Sequence, residues 1–332
     1  MKDKKVSIVM CTYNGAKYIR QQLDSIVNQS YPIYELIVQD DCSTDNTFSI
    51  LQEYADKYVF ISLYRNEKQK GINENFFSAM ERATGDYVVV SDQDDVCDLN
   101  KIENQLNAIE DNWLCGGFSK PFSEKKTVEF DIRIPNFKIE RLIHVASAIS
   151  GHTMMIKRDL IPQVLRYRSF PTILYDHLFL IISGSYNKIT FVEKVLVNYR
   201  EHEESATFTT PVMKRGEGNK NIKNIIRSFF RTLFLYIELR NKMQTYFLSM
   251  YKLLESLPEK GSVKADAQRI SLYQSQKGLI AYIKLTCIYL KVRKNLFHVP
   301  EKKSFFSILR AIYFPISCSD YFRFMSKSYQ KR

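Results

Sequence analysis

A run of acidic side chains closes one of the apolar segments of this sequence. Residues 91–98 read SDQDDVCD and follow residues 86–90, which have the composition of a buried strand. Four carboxylates within seven residues repel one another unless water, hydrogen-bond donors or a cation offsets their charge. Asp92 and Asp94 stand at i and i+2, so at the end of a strand they point to the same side. The run is therefore a site for a divalent cation, a solvated acidic turn, or part of a larger site.

The segments around this run indicate where it lies in a fold. Strand-like segments alternate with segments whose apolar residues have helical spacing, from residue 6 to residue 90. This alternation predicts an α/β fold with a doubly wound, mostly parallel, Rossmann-like sheet that binds ligands beyond the carboxyl ends of its strands. Polar clusters at residues 12–14, 40–43 and 92–95 each follow such a strand, so we expect them to converge on one crevice. No GxGxxG sequence follows the first strand, which argues against a dinucleotide fingerprint.

The chain after residue 115 is less regular. Residues 116–143 mix charge with isolated apolar residues and predict a loop or hairpin that serves as a lid. Strand character returns at residues 150–156 and 195–200, and a helix is expected to begin at Tyr175 with an acidic residue in its first turn. After residue 210 the apolar spacing predicts long helices over residues 221–257 and 266–296. We therefore expect a domain over residues 1–210 and a mainly helical extension over residues 211–332.

The net charge of +12 is unevenly distributed between these two parts. Residues 1–210 hold 24 Lys and Arg against 29 Asp and Glu, whereas residues 211–332 hold 24 against 7. A strongly basic extension is typical of a part that faces an anionic membrane surface, a nucleic acid or an acidic polymer. The alternative is that its lysines only solvate helices.

Composition also restricts the cellular setting that we expect. The apolar stretches are shorter than the roughly 20 residues that a membrane-spanning helix needs. The first residues lack the features of a secretory signal, so we expect a cytoplasmic protein. Six cysteines show no CxxC pairing, which favours a reducing compartment and argues against a structural zinc site.

Several ordered motifs resemble those of a known family. The sequences VSIVMCTYNG (6–15), LIVQDDCSTD (36–45) and GDYVVVSDQDDV (85–96), with Arg65-Asn66 and Gly71 between the last two, are similar to the nucleotide-sugar half of family 2 inverting glycosyltransferases, which have the GT-A fold. Within that family the chain most resembles the bacterial rhamnosyltransferase-like branch. The branch's later motifs correspond here to GHTMMI (151–156), YDHL (175–178) and YREHEES (199–205). The resemblance covers roughly residues 5–210, divided into a nucleotide-sugar half at 1–115 and an acceptor half at 116–210.

The sequence departs from the family pattern at four positions. Cys97 replaces a Trp, His177 and Leu178 replace a Trp pair, and Glu203 replaces a Gly. All but Glu203 fall around the acceptor pocket that the resemblance implies. Cys97, His152 and His177 are accordingly expected to line that pocket.

The resemblance implies a binding site for a nucleoside-diphosphate sugar. Mg²⁺ or Mn²⁺ bridges carboxylates to phosphates, which gives Asp92 and Asp94 the role of metal ligands. Asp95 is then expected to hold ribose, water or the acceptor loop. Asp41 and Ser43 are suited to hydrogen bonds with a pyrimidine base, although Ser43 is equally suited to capping the following helix. Thr12, Tyr13 and Asn14 offer polar groups to the nucleoside, and Asn14-Gly15 is also typical of a plain turn.

Transfer with inversion needs a base that removes the proton of the acceptor hydroxyl. Asp176 matches the Asp of the family's helix-start motif, and the apolar residues after it predict a poorly solvated, more basic carboxylate. The alternative is that Asp176 only complements the helix dipole. His202 resembles the family's strand-end His, which completes the metal shell or meets the diphosphate, and Arg200 is expected to supply positive charge to the diphosphate.

The aromatic and basic residues of the C-terminal helices predict attachment to an anionic lipid surface. The alternatives are a helical core or a homo-oligomer contact. We therefore expect a metal-dependent inverting glycosyltransferase, peripheral to the inner face of the plasma membrane and active in bacterial cell-surface polysaccharide synthesis. Its expected donor is dTDP-rhamnose or a UDP-sugar, and its expected acceptor is a lipid-linked saccharide rather than a nucleic acid. A nucleotidyltransferase and a non-catalytic membrane- or nucleic-acid-binding protein remain as alternatives.

Overall fold

The computed structural model describes residues 4–123, 130, 132–144, 148–170, 173–202, 222–297 and 304–325. These residues fall into two compact units. The first comprises residues 1–135, 146–184 and 188–201, and the second comprises residues 136–145, 185–187 and 202–332. The second unit therefore takes two short segments from within the range 1–210 in addition to the C-terminal extension.

The first unit is built around one eight-stranded sheet. Its strands are β1 (Val6–Thr12), β2 (Glu35–Asp40), β3 (Ile61–Arg65), β4 (Tyr87–Ser91), β5 (Val96–Cys97), β6 (Leu114–Phe122), β7 (Met155–Lys157) and β8 (Ile189–Arg200). They lie in the order β3-β2-β1-β4-β7-β6-β8-β5. The first four strands of this order are parallel, β7 is antiparallel to β4 and to β6, and β8 is parallel to β6. The sheet is mostly parallel, as predicted.

Helices connect and cover the strands. The α-helices of the described residues are α1 (Ile19–Val27), α2 (Thr47–Lys57), α3 (Ile72–Arg82), α4 (Lys101–Ile109), α5 (Ile139–Leu142), α6 (Ile161–Leu165), α7 (Tyr175–Gly184), α8 (Ile222–Ser256), α9 (Ala265–Ser275), α10 (Leu279–Leu296) and α11 (Ser304–Ser317). In the first unit, Ile19, Leu23 and Ile26 of α1 are buried in one core with the apolar residues of β1 and β2. Their spacing of three and four residues places them on one face of the helix, which is why this sequence forms a helix packed on the sheet.

The structure differs from the sequence-based predictions in three elements. The loop or hairpin predicted at residues 116–143 is wrong for residues 116–122, which belong to β6, and for residues 139–142, which form α5. Residues 124–129 and 131 lie outside the described residues. The strand predicted at 150–156 is a 3₁₀ turn at Gly151–Thr153 followed by β7. The helix predicted at 266–296 is two helices, α9 and α10, because Gly278 adopts a φ of 106° that few other residues adopt.

The second unit is helical. Its long helix α8 contacts α9, α11 and the 3₁₀ segment Cys318–Met325, and α10 contacts α9 and α11. Its core is aromatic: His144 lies between the rings of Phe247, Tyr289 and Phe314, with ring centroids 5.1 to 5.8 Å away. Within the described residues, no helix is both long enough and apolar enough to cross a membrane.

Candidate functional site

The loops that follow β1, β2 and β4 meet at one edge of the sheet. Thr12 pairs with Asp40 across β1 and β2, and Met10 pairs with Ser91 across β1 and β4. The side chain of Gln93 closes the gap between the first and third loops, because its Oε1 accepts a hydrogen bond from the Tyr13 amide at 2.9 Å and its Nε2 donates to the Tyr13 carbonyl at 3.0 Å. The predicted convergence of the three polar clusters is confirmed.

Ser43 and Asn14 join the first loop to the second. The Ser43 hydroxyl donates to Asp40 Oδ1 at 2.5 Å and accepts from the Asn14 amide at 2.9 Å. Asn14 has a φ of 49°, and its Oδ1 accepts from the Thr44 amide at 2.8 Å. Thr12 also donates to Asp40 Oδ1, at 2.9 Å. Thr12 and Ser43 are buried and hold the fully buried Asp40, whereas Tyr13 is 44% exposed.

Asp41 organises the segment that follows β3. Its Oδ1 accepts hydrogen bonds from Asn66 Nδ2 at 2.7 Å and from the Lys70 amide at 2.8 Å, and its Oδ2 accepts from the Gly71 amide at 2.8 Å. The carboxylate is buried. We refer to this arrangement as the Asp41 clamp. Because three donors from the protein already occupy the carboxylate, the side chain shapes the loop at residues 66–71.

A cluster of three potential metal ligands lies at the end of β4. Oxygens of Asp92 and Asp95 and a ring nitrogen of His152 lie within 4.8 Å of one another, and no other described group of His, Cys, Asp and Glu residues converges in this way. His152 Nδ1 is 3.3 Å from Asp92 Oδ2 and 3.4 Å from Asp95 Oδ2. We refer to these residues as the Asp92–Asp95–His152 cluster.

The environment of the Asp92–Asp95–His152 cluster fits a divalent cation. Asp95 Oδ2 is buried and accepts no hydrogen bond from the described part of the chain. Burial, followed by repulsion from Asp92 and Asp94, raises the pKa of the Asp95 carboxyl, although His152 opposes the change. Burial alone disfavours the imidazolium, but Asp95 and Asp92 outweigh it and raise the pKa of His152. Carboxylate oxygens and imidazole nitrogen are ligands that Mn²⁺ accepts, and a dication would relieve the repulsion between the two carboxylates.

Two contacts fix the ring of His152, and a third holds its backbone. Its Nε2 is hydrogen-bonded to Ser119 Oγ at 2.7 Å, which leaves Nδ1 facing the carboxylates. The ring stacks on Tyr199 at a centroid distance of 5.5 Å and an angle of 10°. The backbone carbonyl of His152 accepts a hydrogen bond from Lys101 Nζ at 2.7 Å. The resemblance implies a place for His152 in an acceptor pocket, whereas the structure brings its Nδ1 to the acidic run.

Three predicted residues occupy other positions. Asp94 and His202 supply no atom to the Asp92–Asp95–His152 cluster. Arg200 is buried, and its guanidinium carbon lies 4.5 Å from the ring centroid of Tyr18 and 4.6 Å from that of Phe122. Its amide donates to Asp95 Oδ1 at 3.0 Å and its Nε donates to the Asp94 carbonyl at 3.0 Å, so Arg200 holds the acidic loop in place.

Asp176 lies in the first turn of α7, and its carboxylate is partly buried. Burial, with a smaller contribution from Asp92, raises its pKa from 3.8 to about 6, although the hydrogen bond that Oδ1 accepts from the His177 amide at 2.7 Å opposes the change. The buried Tyr175 hydroxyl lies so close to Gly151 that a Cβ atom there would be 2.3 Å away. The poorly solvated, more basic carboxylate predicted from sequence agrees with this environment.

Two buried residues, Cys97 and Lys101, lie in the core next to the site. Cys97 is buried, its Sγ accepts from Gln22 Nε2 at 3.4 Å, and it lines a small internal cavity with Lys101. The place in an acceptor pocket that the resemblance implies for Cys97 stays a prediction, and the structure puts its side chain in the core. Lys101 is buried and donates to the carbonyls of Val90 and His152 at 3.2 and 2.7 Å. Sequence reasoning missed Lys101 because a lysine in the first turn of a helix ordinarily lies in solvent.

Sequence comparison finds related proteins for the first part of the chain. Residues 7–165 match the family described as Glycosyl transferase family 2. The putative teichuronic acid biosynthesis glycosyltransferase TuaG of Bacillus subtilis (strain 168) is 40% identical over 101 residues, which cover 30% of this chain and 40% of TuaG. The UDP-Glc:alpha-D-GlcNAc-diphosphoundecaprenol beta-1,3-glucosyltransferase WfgD of Escherichia coli is 36% identical over 112 residues, which cover 34% of this chain and 44% of WfgD. The chain thus spans less than half the length of these relatives.

Structural comparison extends over nearly the whole chain. The crystal structure of S. aureus TarS 1-349 in complex with UDP-GlcNAc aligns with a TM-score of 0.57 at 18% identity, covering 98% of this chain and 92% of that chain. At this identity the likeness concerns the fold. The α/β fold with a mostly parallel sheet and C-terminal helices is that of a GT-A protein, which confirms the predicted fold class.

Proposed function

We propose, from the premise that residues 7–165 are a family 2 glycosyltransferase domain, that the chain transfers a sugar from a nucleoside-diphosphate sugar to a hydroxyl group of a lipid-linked saccharide. The observation that carries this proposal is the Asp92–Asp95–His152 cluster at the carboxyl end of β4. Ligands of doubly wound sheets bind at this edge, where the loops after β1 and β2 also lie.

Asp92, Asp95 and His152 are the residues that would hold Mn²⁺ or Mg²⁺. The bound ion would supply positive charge to a diphosphate leaving group. Asp92 is the most exposed of the three, with 39% of its side chain accessible, and it is therefore the residue that faces an incoming donor. The Asp94 and His202 ligands predicted from sequence remain an alternative set, and substitution of each residue separates the two sets.

Asp176 is the proposed base. With a pKa of about 6 it is mostly ionised at neutral pH, yet it binds a proton more strongly than an ordinary aspartate. As Asp176 takes the proton of the acceptor hydroxyl, the hydroxyl oxygen would form a bond to the anomeric carbon on the face opposite the diphosphate. The bond from that carbon to the diphosphate oxygen would break, the nucleoside diphosphate would leave, and the configuration would invert. His177 follows Asp176 on α7, and its amide fixes the carboxylate orientation.

The nucleoside of the donor is proposed to bind against the first and second loops. Tyr13 is exposed and presents its ring, while Thr12, Asn14 and Ser43 hold one another and Asp40. Asp41 contributes through the shape of the loop at residues 66–71. Arg200 contributes by fixing Asp94 and Asp95. Because the WfgD name specifies UDP-Glc, a uridine or thymidine diphosphate sugar is the proposed donor class, and dTDP-rhamnose is included through the branch resemblance.

The acceptor and the cellular location are also proposals. The names of TuaG and WfgD refer to teichuronic acid synthesis and to a diphosphoundecaprenol-linked sugar, which supports a lipid-linked saccharide acceptor in cell-surface polysaccharide synthesis. The basic C-terminal part supports a position at the inner face of the plasma membrane. Residues 1–210 would then perform the transfer, and residues 211–332 would provide membrane association or oligomerisation.

A thermal-shift screen of nucleotide sugars tests the proposed function directly. We expect one UDP- or dTDP-sugar to raise the melting temperature in the presence of Mn²⁺ and to lose this effect in EDTA. Asp95→Asn should remove the Mn²⁺-dependent shift, while the matched control Asp111→Asn, at an exposed position outside the site, should keep it. If no nucleotide sugar stabilises the wild-type chain with Mn²⁺, the proposal fails.

A further inference from the structure

Apolar side chains are exposed on three helices of the second unit. On α8, Phe230 and Phe234 are 50% and 69% exposed; on α10, Ile280 and Ile283 are 72% and 53% exposed; on α11, Ile312 is 41% exposed. Side chains of this size are ordinarily buried in a helical core, and several exposed together mark an interaction surface.

Two contacts link α8 and α10 to the same part of α11. Phe229 of α8 stacks on Tyr313 of α11, with ring centroids 5.2 Å apart. The hydroxyl of Tyr282 on α10 donates to the Ile312 carbonyl on α11 at 3.1 Å. α8 and α10 thus both pack against the turn of α11 that contains Ile312 and Tyr313.

Exposed basic residues share the same helix faces. Arg227 and Arg231 recur with Phe230 and Phe234 at spacings of three and four residues on α8. On α10, Lys284 lies four residues after Ile280, and its Nζ is 5.4 Å from the ring centroid of Tyr273. We call Arg227, Phe230, Arg231, Phe234, Ile280, Ile283, Lys284 and Ile312 the aromatic–basic face. Such a combination of rings, aliphatic groups and cations along helices is typical of binding within a membrane interface.

Basic residues predominate on the three helices, and the part of α8 before Glu238 carries no acidic residue. Residues 222–237 of α8, together with all of α10 and α11, contain eight Lys and Arg and no Asp or Glu. Glu238 is the first acidic residue along α8. A two-fold contact between two copies of the chain would place the same patch on both sides of the interface and bring these cations together. An anionic surface would instead neutralise them.

We propose that the aromatic–basic face binds the anionic surface of a lipid bilayer. This inference rests on the proposed function, because a lipid-linked acceptor lies at such a surface, and it names the part of the chain that makes the contact. The apolar side chains enter the interface while the arginines and lysine remain among the headgroups. The helices lie on the bilayer and do not cross it, in agreement with the absence of a spanning helix among the described residues.

Flotation of the full chain with vesicles tests the proposal. We expect binding to vesicles of phosphatidylcholine mixed with phosphatidylglycerol, and much weaker binding to phosphatidylcholine alone. Arg227→Gln combined with Arg231→Gln should weaken binding to the anionic vesicles roughly 30-fold, from about fivefold for each basic residue near the surface. The control, Lys57→Gln with Arg158→Gln, removes the same charge from exposed positions of the first unit and should have little effect.

A second pair of variants tests the apolar contribution. Phe230→Ser with Phe234→Ser should lower vesicle binding, whereas Val59→Ser, at a fully exposed apolar position of the first unit, should not. Equal binding to neutral and anionic vesicles, or unchanged binding of both arginine and phenylalanine variants, would overturn the proposal. If the variants change the sedimentation coefficient of the chain but not its binding to vesicles, the face is a contact between copies of the chain. That result would also overturn the proposal.

The thermal shift with a nucleotide sugar separates this inference from the proposed function. The face variants should keep the Mn²⁺-dependent shift, because they lie in the second unit and the donor residues lie in the first. Lipid binding by a chain that no nucleotide sugar stabilises would support the face and refute the transferase. Donor binding without lipid binding would refute the face alone.

Discussion

Replacing Asp176 by Asn should make the protein more stable and at the same time abolish transfer. The native environment raises the pKa of this carboxyl from 3.8 to about 6, so the ionised form is less favourable in the folded chain than in the unfolded chain. A difference of about two pH units corresponds to about 3 kcal/mol. Because the carboxylate keeps some contact with solvent, this figure is an upper bound. Asn retains an oxygen that accepts the hydrogen bond from the His177 amide, and it carries no charge.

The pH dependence of this stabilisation has a defined sign. A raised native pKa favours the protonated form, so Asp176 destabilises the native state increasingly as the pH rises from about 4 to about 6, and by a constant amount above that range. Asp176→Asn should therefore be more stable than wild type at pH 7 and equal to it near pH 4. Chemical unfolding of the metal-free protein at both values measures the difference.

Sugar transfer should require the ionised form of Asp176, which is the form that destabilises the folded chain. A base must be deprotonated, so wild-type transfer at saturating donor and Mn²⁺ should fall about tenfold for each pH unit below about 6. Asp176→Asn should lower the transfer rate roughly 100- to 10,000-fold and still show the Mn²⁺-dependent donor shift. A variant that retains transfer, or one that is no more stable than wild type at pH 7, would refute the role of a strained, desolvated base.

Other substitutions test the supports of the site. Gly151→Ala should destabilise the chain by about 1 to 3 kcal/mol, because its Cβ would lie 2.3 Å from the Tyr175 hydroxyl, and adding Tyr175→Phe should recover part of the loss in thermal unfolding. Lys101→Met should cost about 2 kcal/mol or more in urea unfolding, because two buried carbonyls lose their donor. His152→Gln should weaken Mn²⁺ binding, measured by titration calorimetry, at least tenfold, and Asp94→Asn should have a smaller effect; the reverse order would favour the ligands predicted from sequence.

The sequence predicted the first four strands and their helices well because the signals there are local. Alternation of β-branched strand segments with amphipathic helices defined β1 to β4, and polar residues at the strand ends indicated the crevice. The register between β1 and β2 then placed Thr12 beside Asp40. Parallel strands meet at a common edge by geometry, so no information beyond the order of elements was required.

The members of the Asp92–Asp95–His152 cluster, and the residues that support it, could not be predicted from the sequence in the same way. Asp95 and His152 are 57 positions apart, and they meet because the 3₁₀ turn at Gly151–Thr153 lies beside the end of β4. Spacing within the acidic run favoured Asp94, since alternation describes an ideal strand, but β4 ends at Ser91 and a turn follows it. The burial of Lys101 depends on two carbonyl partners from different elements. Such long-range pairings leave no periodic trace in a single sequence.

The Asp41 clamp has a consequence for the thermodynamics of ligand binding. The amides of Lys70 and Gly71 have their acceptor, the Asp41 carboxylate, within the chain itself, and Gly71 adopts a φ of 81° that suits the turn. The conformational entropy of this segment is thus lost during folding and not during association. A nucleotide that binds against residues 66–71 would contact a segment whose conformation is already fixed. Asp41→Ala would remove the hydrogen bonds that fix this segment. Nucleotide binding to the variant would then have to order the segment, and the loss of affinity would appear mainly as a less favourable entropy of binding.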